Sequence, residues 1–210
     1  VTSSGTCKKT SLSNFSRPRK GGIIAIELRG DDRLVGVEIT SGEHDILLFS
    51  SAGKSIRFRE SDVRSVGRTA IGVRGIRLAD GDNVVSLIVA QETDPILTAT
   101  EKGYGKRTNL DEYRTQARGG SGVISIKTSQ RNGKVVGAIQ VTDEDEMMLI
   151  SNKGTLVRAR SNDVSIIGRN TQGVTLINIA EDEELVSVAK IAESDEESDD
   201  NSDTDNILEE

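Results

Sequence analysis

A cation recurs at the same place in four successive stretches of this chain. Lys9, Arg57, Arg107 and Arg158 each stand four residues after a glycine, at Gly5, Gly53, Gly103 and Gly154. A second basic site lies in the loop before another recurring glycine, at Gly22, Gly72, Gly122 and Gly173. It holds Arg17, Arg19 and Lys20 in the first stretch, then Arg68, Arg118 and Arg169. Lys8 and Lys106 adjoin the first set, and strand alternation puts Arg59 with Arg57, and Arg160 with Arg158, on a common face. Such side chains meet phosphate oxygens by charge and hydrogen bonding, so a row of them suits a polyanion. For any one residue, keeping an outer strand soluble is an equal reading; recurrence in all four stretches favours a charged rim.

Other chemistries find little support. One cysteine, Cys7, forms no internal disulfide, and with the single His44 it cannot supply the usual four zinc ligands. Cys7 reads as a small strand residue and His44 as part of a polar turn, and the cysteine usage fits a reducing cytosol. GYGKRT, from Gly103 to Thr108, has glycines and a lysine but not the spacing of a phosphate-binding loop, and it lies between strands rather than before a helix. The acid pairs at Asp31-Asp32 and Asp143 to Glu146 fall in turns, where solvated carboxylates are ordinary. No apolar run is long enough to span a membrane, so no membrane partner is expected.

The elements that carry these cations repeat with a period of about 50 residues. An apolar run precedes each opening glycine, in ILLFSSAG, ILTATEKG and MMLISNKG, while the first stretch enters late, at VTSSG. After the second glycine come the alternating runs IIAIEL, VRGIRL, VISIK and VTLINI, which predict strands. The pairs Leu34-Val35, Val84-Val85, Val135-Val136 and Leu185-Val186 predict a further strand. Four short strands make one propeller blade, which cannot bury both faces alone, so an all-β array of about four blades is expected over 1–45, 46–95, 96–145 and 146–192. With no tryptophan and few aromatic residues, its core must be aliphatic.

Charge divides the chain. Residues 193–210 hold ten acids and no base, leaving 24 acids against 27 bases in 1–192. A basic array with an acidic, disordered tail is expected, the tail either solubilising the protein or competing with an anionic ligand for the rim. Duplex DNA following a curved rim would be held through its phosphates, without base readout and with strong salt dependence.

The runs GVRGIRL, GYGKRT, GVISIK, GTLVRAR and SIIGRNTQGV resemble the C-terminal domain of the A subunit of bacterial DNA gyrase, over residues 1 to about 192. The resemblance implies a β-pinwheel, six-bladed in the family, whose blades exchange strands and whose basic perimeter wraps double-stranded DNA. It implies service in ATP-dependent negative supercoiling beside the gyrase B subunit, together with the rest of the gyrase A subunit, in the bacterial cytoplasm at the nucleoid. ATP and magnesium would belong to other parts of that enzyme, so no cofactor is expected on this chain. The family's QRRGGKG box is absent; the nearest strings are RPRKGG at Arg17 to Gly22 and ARGGSG at Ala117 to Gly122. No catalytic-tyrosine domain is evident, so Tyr104 and Tyr113 read as blade residues and the chain as non-catalytic. Four blades are expected to form an arc with open edges. Rival readings are the equivalent domain of topoisomerase IV, a protein-docking propeller and an enzyme with a central-channel site.

Overall fold

The structure, a computed structural model, describes residues 1–90 and 93–191. The acidic tail expected at 193–210 lies outside the described residues. Strands follow the chain as β1 (Thr6–Cys7), β2 (Asp45–Ser50), β3 (Lys54–Arg59), β4 (Val73–Arg74), β5 (Val84–Val89), β6 (Ile96–Thr100) and β7 (Tyr104–Thr108), then β8 (Val123–Ile124), β9 (Val135–Gln140), β10 (Glu146–Ser151), β11 (Leu156–Arg160), β12 (Val174–Thr175) and β13 (Leu185–Lys190). Among the described residues there is no α-helix. Four 3-10 turns, at Leu12–Phe15, Glu60–Asp62, Leu110–Glu112 and Ser161–Asp163, occupy the same place in the four copies.

Every pairing between these strands is antiparallel, and the sheets run β5-β2-β3-β8, β9-β6-β7-β12 and β13-β10-β11, with β1 paired to β4. The fold is therefore all-β and blade-like. The apolar run before each opening glycine becomes the central strand, because only there are both faces and both edges covered; Leu47, Leu48, Ile96, Leu97, Met147 and Leu149 are all buried. β5, β9 and β13 form the hub, where successive sheets come closest. Small residues permit that approach: a Cβ on Gly137 would lie 3.0 Å from Val188 Cγ1, and Ser86 Oγ accepts the Ala138 N–H at 2.9 Å.

In the first three blades the outer strand comes from the following copy. Lys54 faces Ile124, Thr6 faces Arg74 and Tyr104 faces Thr175. Three matching hydrogen bonds seal these joints, from Gly75 N to Gly5 O, Ser125 N to Gly53 O and Leu176 N to Gly103 O, each 2.8 Å. The runs after the second glycine are shorter strands than their alternation predicts. Only two residues pair in copies two to four, because the next copy's loop takes the rest of the hairpin strand's edge, Gln116 N donating to Arg57 O and Ile167 N to Arg107 O. In the first copy IIAIEL pairs with no strand among the described residues, and Ile24 is 64% exposed. Leu34-Val35 likewise forms no strand: Leu34 makes a bridge with Thr2, and Val35 N donates to Val1 O at 2.9 Å. A cleft of about 640 Å³ lies between Lys8–Ser11 and Val37–Thr40. At the opposite end β11 is an edge, with Leu156 61% exposed.

Aliphatic residues dominate the core, as the composition predicts, with one aromatic contact: Phe49 and Tyr113 meet edge to face at 5.8 Å. Tyr113 is buried, and its hydroxyl lies 3.1 Å from Ser125 Oγ.

Carboxylates lock the turns, Glu60 buried and Asp145 half-buried. Glu60 accepts from the Thr40 hydroxyl at 2.6 Å and the Gly42 N–H at 2.9 Å, with Lys9 Nζ at 3.5 Å. Burial alone would raise its pKa; these donors outweigh burial and hold it below the usual carboxylate range. Asp145, held by Lys190 at 2.7 Å and the Thr142 N–H at 2.6 Å, is shifted the same way for the same reason. A carboxyl depressed in the folded state contributes stability above its unfolded pKa, near 4, and loses it as pH falls through the folded value. Urea midpoints should therefore drop below about pH 4. Glu60→Ala should cost about 2 kcal/mol at pH 7 by orphaning buried donors and should flatten that acid limb; an unchanged limb would rule Glu60 out as its source.

Candidate nucleic-acid interface

The recurring cation after the opening glycine sits in the joint between copies. Backbone bonds run from Val66 N to Lys9 O (2.9 Å), Gln116 N to Arg57 O (2.8 Å) and Ile167 N to Arg107 O (2.9 Å), so each cation lies under the next copy's loop. Each also finds a carboxylate. Lys9 meets Glu60; Arg57 meets Asp45 at 2.7 Å and the carbonyls of Leu110 and Tyr113 at 3.1 and 3.3 Å. Arg107, only 5% exposed, meets Asp143 and the Val164 carbonyl, the latter at 2.8 Å, and the exposed Arg158 meets Glu146.

The loop arginines form a second recurring clasp. Arg68 donates to Ile24 O at 2.7 Å, Arg118 to Arg74 O at 3.0 Å and Arg169 to Ile124 O at 2.8 Å. All three acceptors are two residues past the second glycine of the preceding copy, so the guanidinium holds the outer run in place. Arg118 also reaches Asp62 O at 2.9 Å. Lys8 and Lys106 stand behind these loops. Lys8 Nζ donates to the carbonyls of Arg68 and Ala25, and Lys106 Nζ to those of Gly168 (2.6 Å) and Arg169 (2.7 Å). Burial, with Arg68 beside it, lowers the Lys8 pKa.

Arg17, Arg19, Lys20, Arg59 and Arg160 are exposed, with no side-chain partner among the described residues. The same holds for Lys54, Arg64, Arg74, Arg77, Arg114 and Lys127, which lie outside the set read from the sequence. Arg74 is on the outer strand β4, Lys54 pairs against β8, and Arg77 and Lys127 follow the outer strands directly. A weaker signal marks them: Arg77 and Lys127 are both five residues past the second glycine, and Arg64 and Arg114 eleven past the first. Copies one and four carry Glu27, Asn178, Ser16 and Ser165 at those places, so the pattern spans only the middle two copies.

A row of strand-exchanging blades around a hub, with unpaired cations on its outer strands, defines a propeller-like module with a basic rim. No group of metal-binding side chains, and no helix long and apolar enough to cross a membrane, occurs among the described residues. A family model, DNA gyrase C-terminal domain, beta-propeller, matches residues 1–41, 44–91, 94–142 and 145–192, and the chain belongs to that family. It is 57% identical over 193 residues to the DNA gyrase A protein of Salmonella typhimurium, covering 92% of this chain and 22% of that protein. With the Escherichia coli gyrase A protein it shares 55% over 199 residues, covering 95% and 23%. The chain thus spans less than a quarter of the length of these relatives. Among solved structures, a DNA gyrase A C-terminal domain matches with TM-score 0.82 and 31% identity, over 91% of this chain and 64% of that one. The C-terminal domain of a DNA topoisomerase IV matches with TM-score 0.86 and 29% identity, over 91% and 60%.

Proposed function

We propose that this chain binds double-stranded DNA without sequence preference along its outer strands and bends it, as the wrapping part of a type II topoisomerase that introduces negative supercoils. The observation that carries this reading is the placement of Arg74 on the outer strand β4, of Arg77 and Lys127 just past β4 and β8, and of Lys54 on the hairpin strand beside β8, all exposed and unpaired among the described residues. Cations spaced along a rim contact phosphates, which carry no sequence information, and no α-helix occurs among the described residues to enter a groove. Bending a site of 20–30 base pairs costs on the order of several kcal/mol, which a row of phosphate contacts offsets. The chain itself does no chemistry in this reading. ATP and magnesium serve other parts of the enzyme, and the partners are the gyrase B subunit, together with the rest of the gyrase A subunit, in the bacterial cytoplasm at the nucleoid. Membership of the gyrase family and identities above 50% to gyrase A proteins favour this over the topoisomerase IV assignment.

The test is ligation of nicked circular DNA with rising amounts of the chain, followed by deproteinisation and separation of topoisomers. A dose-dependent shift in linking number, together with affinity that falls steeply with salt, is expected. Salt-sensitive binding with unchanged linking number would limit these blades to phosphate contacts without a chiral wrap.

A further inference from the structure

Lys106 is wholly buried, and no carboxylate among the described residues pairs with it in a salt bridge. Its ammonium holds two consecutive carbonyls of the next copy's loop, those of Gly168 and Arg169, while the Thr108 hydroxyl holds Ile167 O at 2.8 Å beside them. In a trans peptide the N–H points opposite to the carbonyl. Turning both carbonyls onto the ammonium therefore sends the N–H groups of Arg169 and Asn170 the other way. The first donates to Glu112 Oε2 at 3.0 Å; the second has no acceptor among the described residues, and Asn170 is exposed. Lys8 repeats the arrangement two joints earlier, beneath the Arg68 carbonyl. The intervening joint has Ile56 at this position, with its Cδ1 3.8 Å from where a Cβ on Gly120 would lie. Lysine and aliphatic side chains thus alternate beneath successive loops.

Resting on the DNA-binding reading above, we propose that Lys106 and Lys8 are positioning residues for phosphate contact. Each grips the loop of the following copy from behind, so that an outward backbone N–H meets the nucleic-acid backbone while the loop arginine keeps its clasp on the outer run. Neither ammonium touches the ligand. The charged groups that face Lys106 are Glu112, from the 3-10 turn of its own copy, and Arg169, from the loop. Burial, opposed by Glu112 and reinforced by Arg169, brings the Lys106 pKa down to about 8. Its grip therefore loosens while exposed lysines, with pKa near 10.4, remain charged.

The experiment is fluorescence anisotropy of a short labelled duplex at low salt, at pH 7 and pH 9, with the wild-type chain, Lys106→Ile and Lys8→Ile. Wild type should bind about tenfold more weakly at pH 9, the size of one lost charge-assisted contact. Lys106→Ile should show that loss already at pH 7, with the step between pH 7 and 9 flattened. Lys8→Ile, at a half-exposed site less critical for folding, should weaken binding at pH 7 by a smaller factor. Variants that bind like wild type at pH 7 and keep its pH step would overturn the proposal, even if their melting temperatures change. If wild type itself binds without salt dependence, the DNA-binding reading fails instead, and the two failures are told apart by that first titration.

Discussion

Gly122→Ala should destabilise the fold by about 4 kcal/mol, while Gly22→Ala at the matching place of the first copy should cost about 1 kcal/mol, on the magnitudes for left-handed backbone strain and overpacking. Both glycines have positive φ, +68° and +78°, so a side chain at either is strained. The difference lies in what surrounds them. A Cβ on Gly122 would stand 2.2 Å from the Ser55 carbonyl oxygen of the neighbouring blade, a backbone atom that cannot swing away. Cβ atoms on Gly72 and Gly173 would meet Cys7 O at 2.5 Å and Gly105 O at 2.6 Å in the same manner, whereas one on Gly22 would meet nothing within 4 Å. Urea unfolding of the two variants measures the gap. Equal losses would mean that the second glycine is needed for its turn alone and not for the seam between blades.

Replacing Arg74, Arg77 and Lys127 together with glutamine should lower DNA affinity at least tenfold at low salt and reduce the slope of log affinity against log salt by about 2.7, three contacts at 0.9 each. Their side chains are exposed, so the melting temperature should stay within a few degrees of wild type. Arg107→Gln is the counterpart. Its guanidinium is buried on Asp143 and the Val164 carbonyl, so its loss should reduce stability and leave the salt slope nearly intact. A triple variant with wild-type slope would move the DNA path off the outer strands.

The repeat was legible because its marks are local. Glycines such as Gly53, Gly103 and Gly154 hold φ near +80°, and the apolar runs before them are the buried central strands. What stayed hidden depends on residues far apart in the chain. Lys9, Arg57, Arg107 and Arg158 share one repeat position, but their carboxylates do not: Glu60, Asp45, Asp143 and Glu146 come from three different places in the repeat. Recurrence among cations therefore could not reveal that each was paired. Nor could alternation show that Lys106 is buried, because the loop covering it comes from the next copy. Strand exchange itself leaves no local mark, since the run after the second glycine reads the same whichever blade receives it.

That exchange also sets a timetable for synthesis. The hairpin strand with Lys54 meets its outer neighbour only at Ile124, and the strand with Tyr104 only at Thr175, each some 70 residues later in the chain. At 5–20 residues per second a ribosome leaves each blade's flank open for roughly 4–14 seconds. During that interval the emerging chain presents an unpaired strand edge to whatever is near it. Neighbouring nascent copies on one message are thus the most hazardous company this fold keeps. A slow-translating stretch just before a second glycine would prolong the exposure, whereas one placed just after it would give the finished seam time to close.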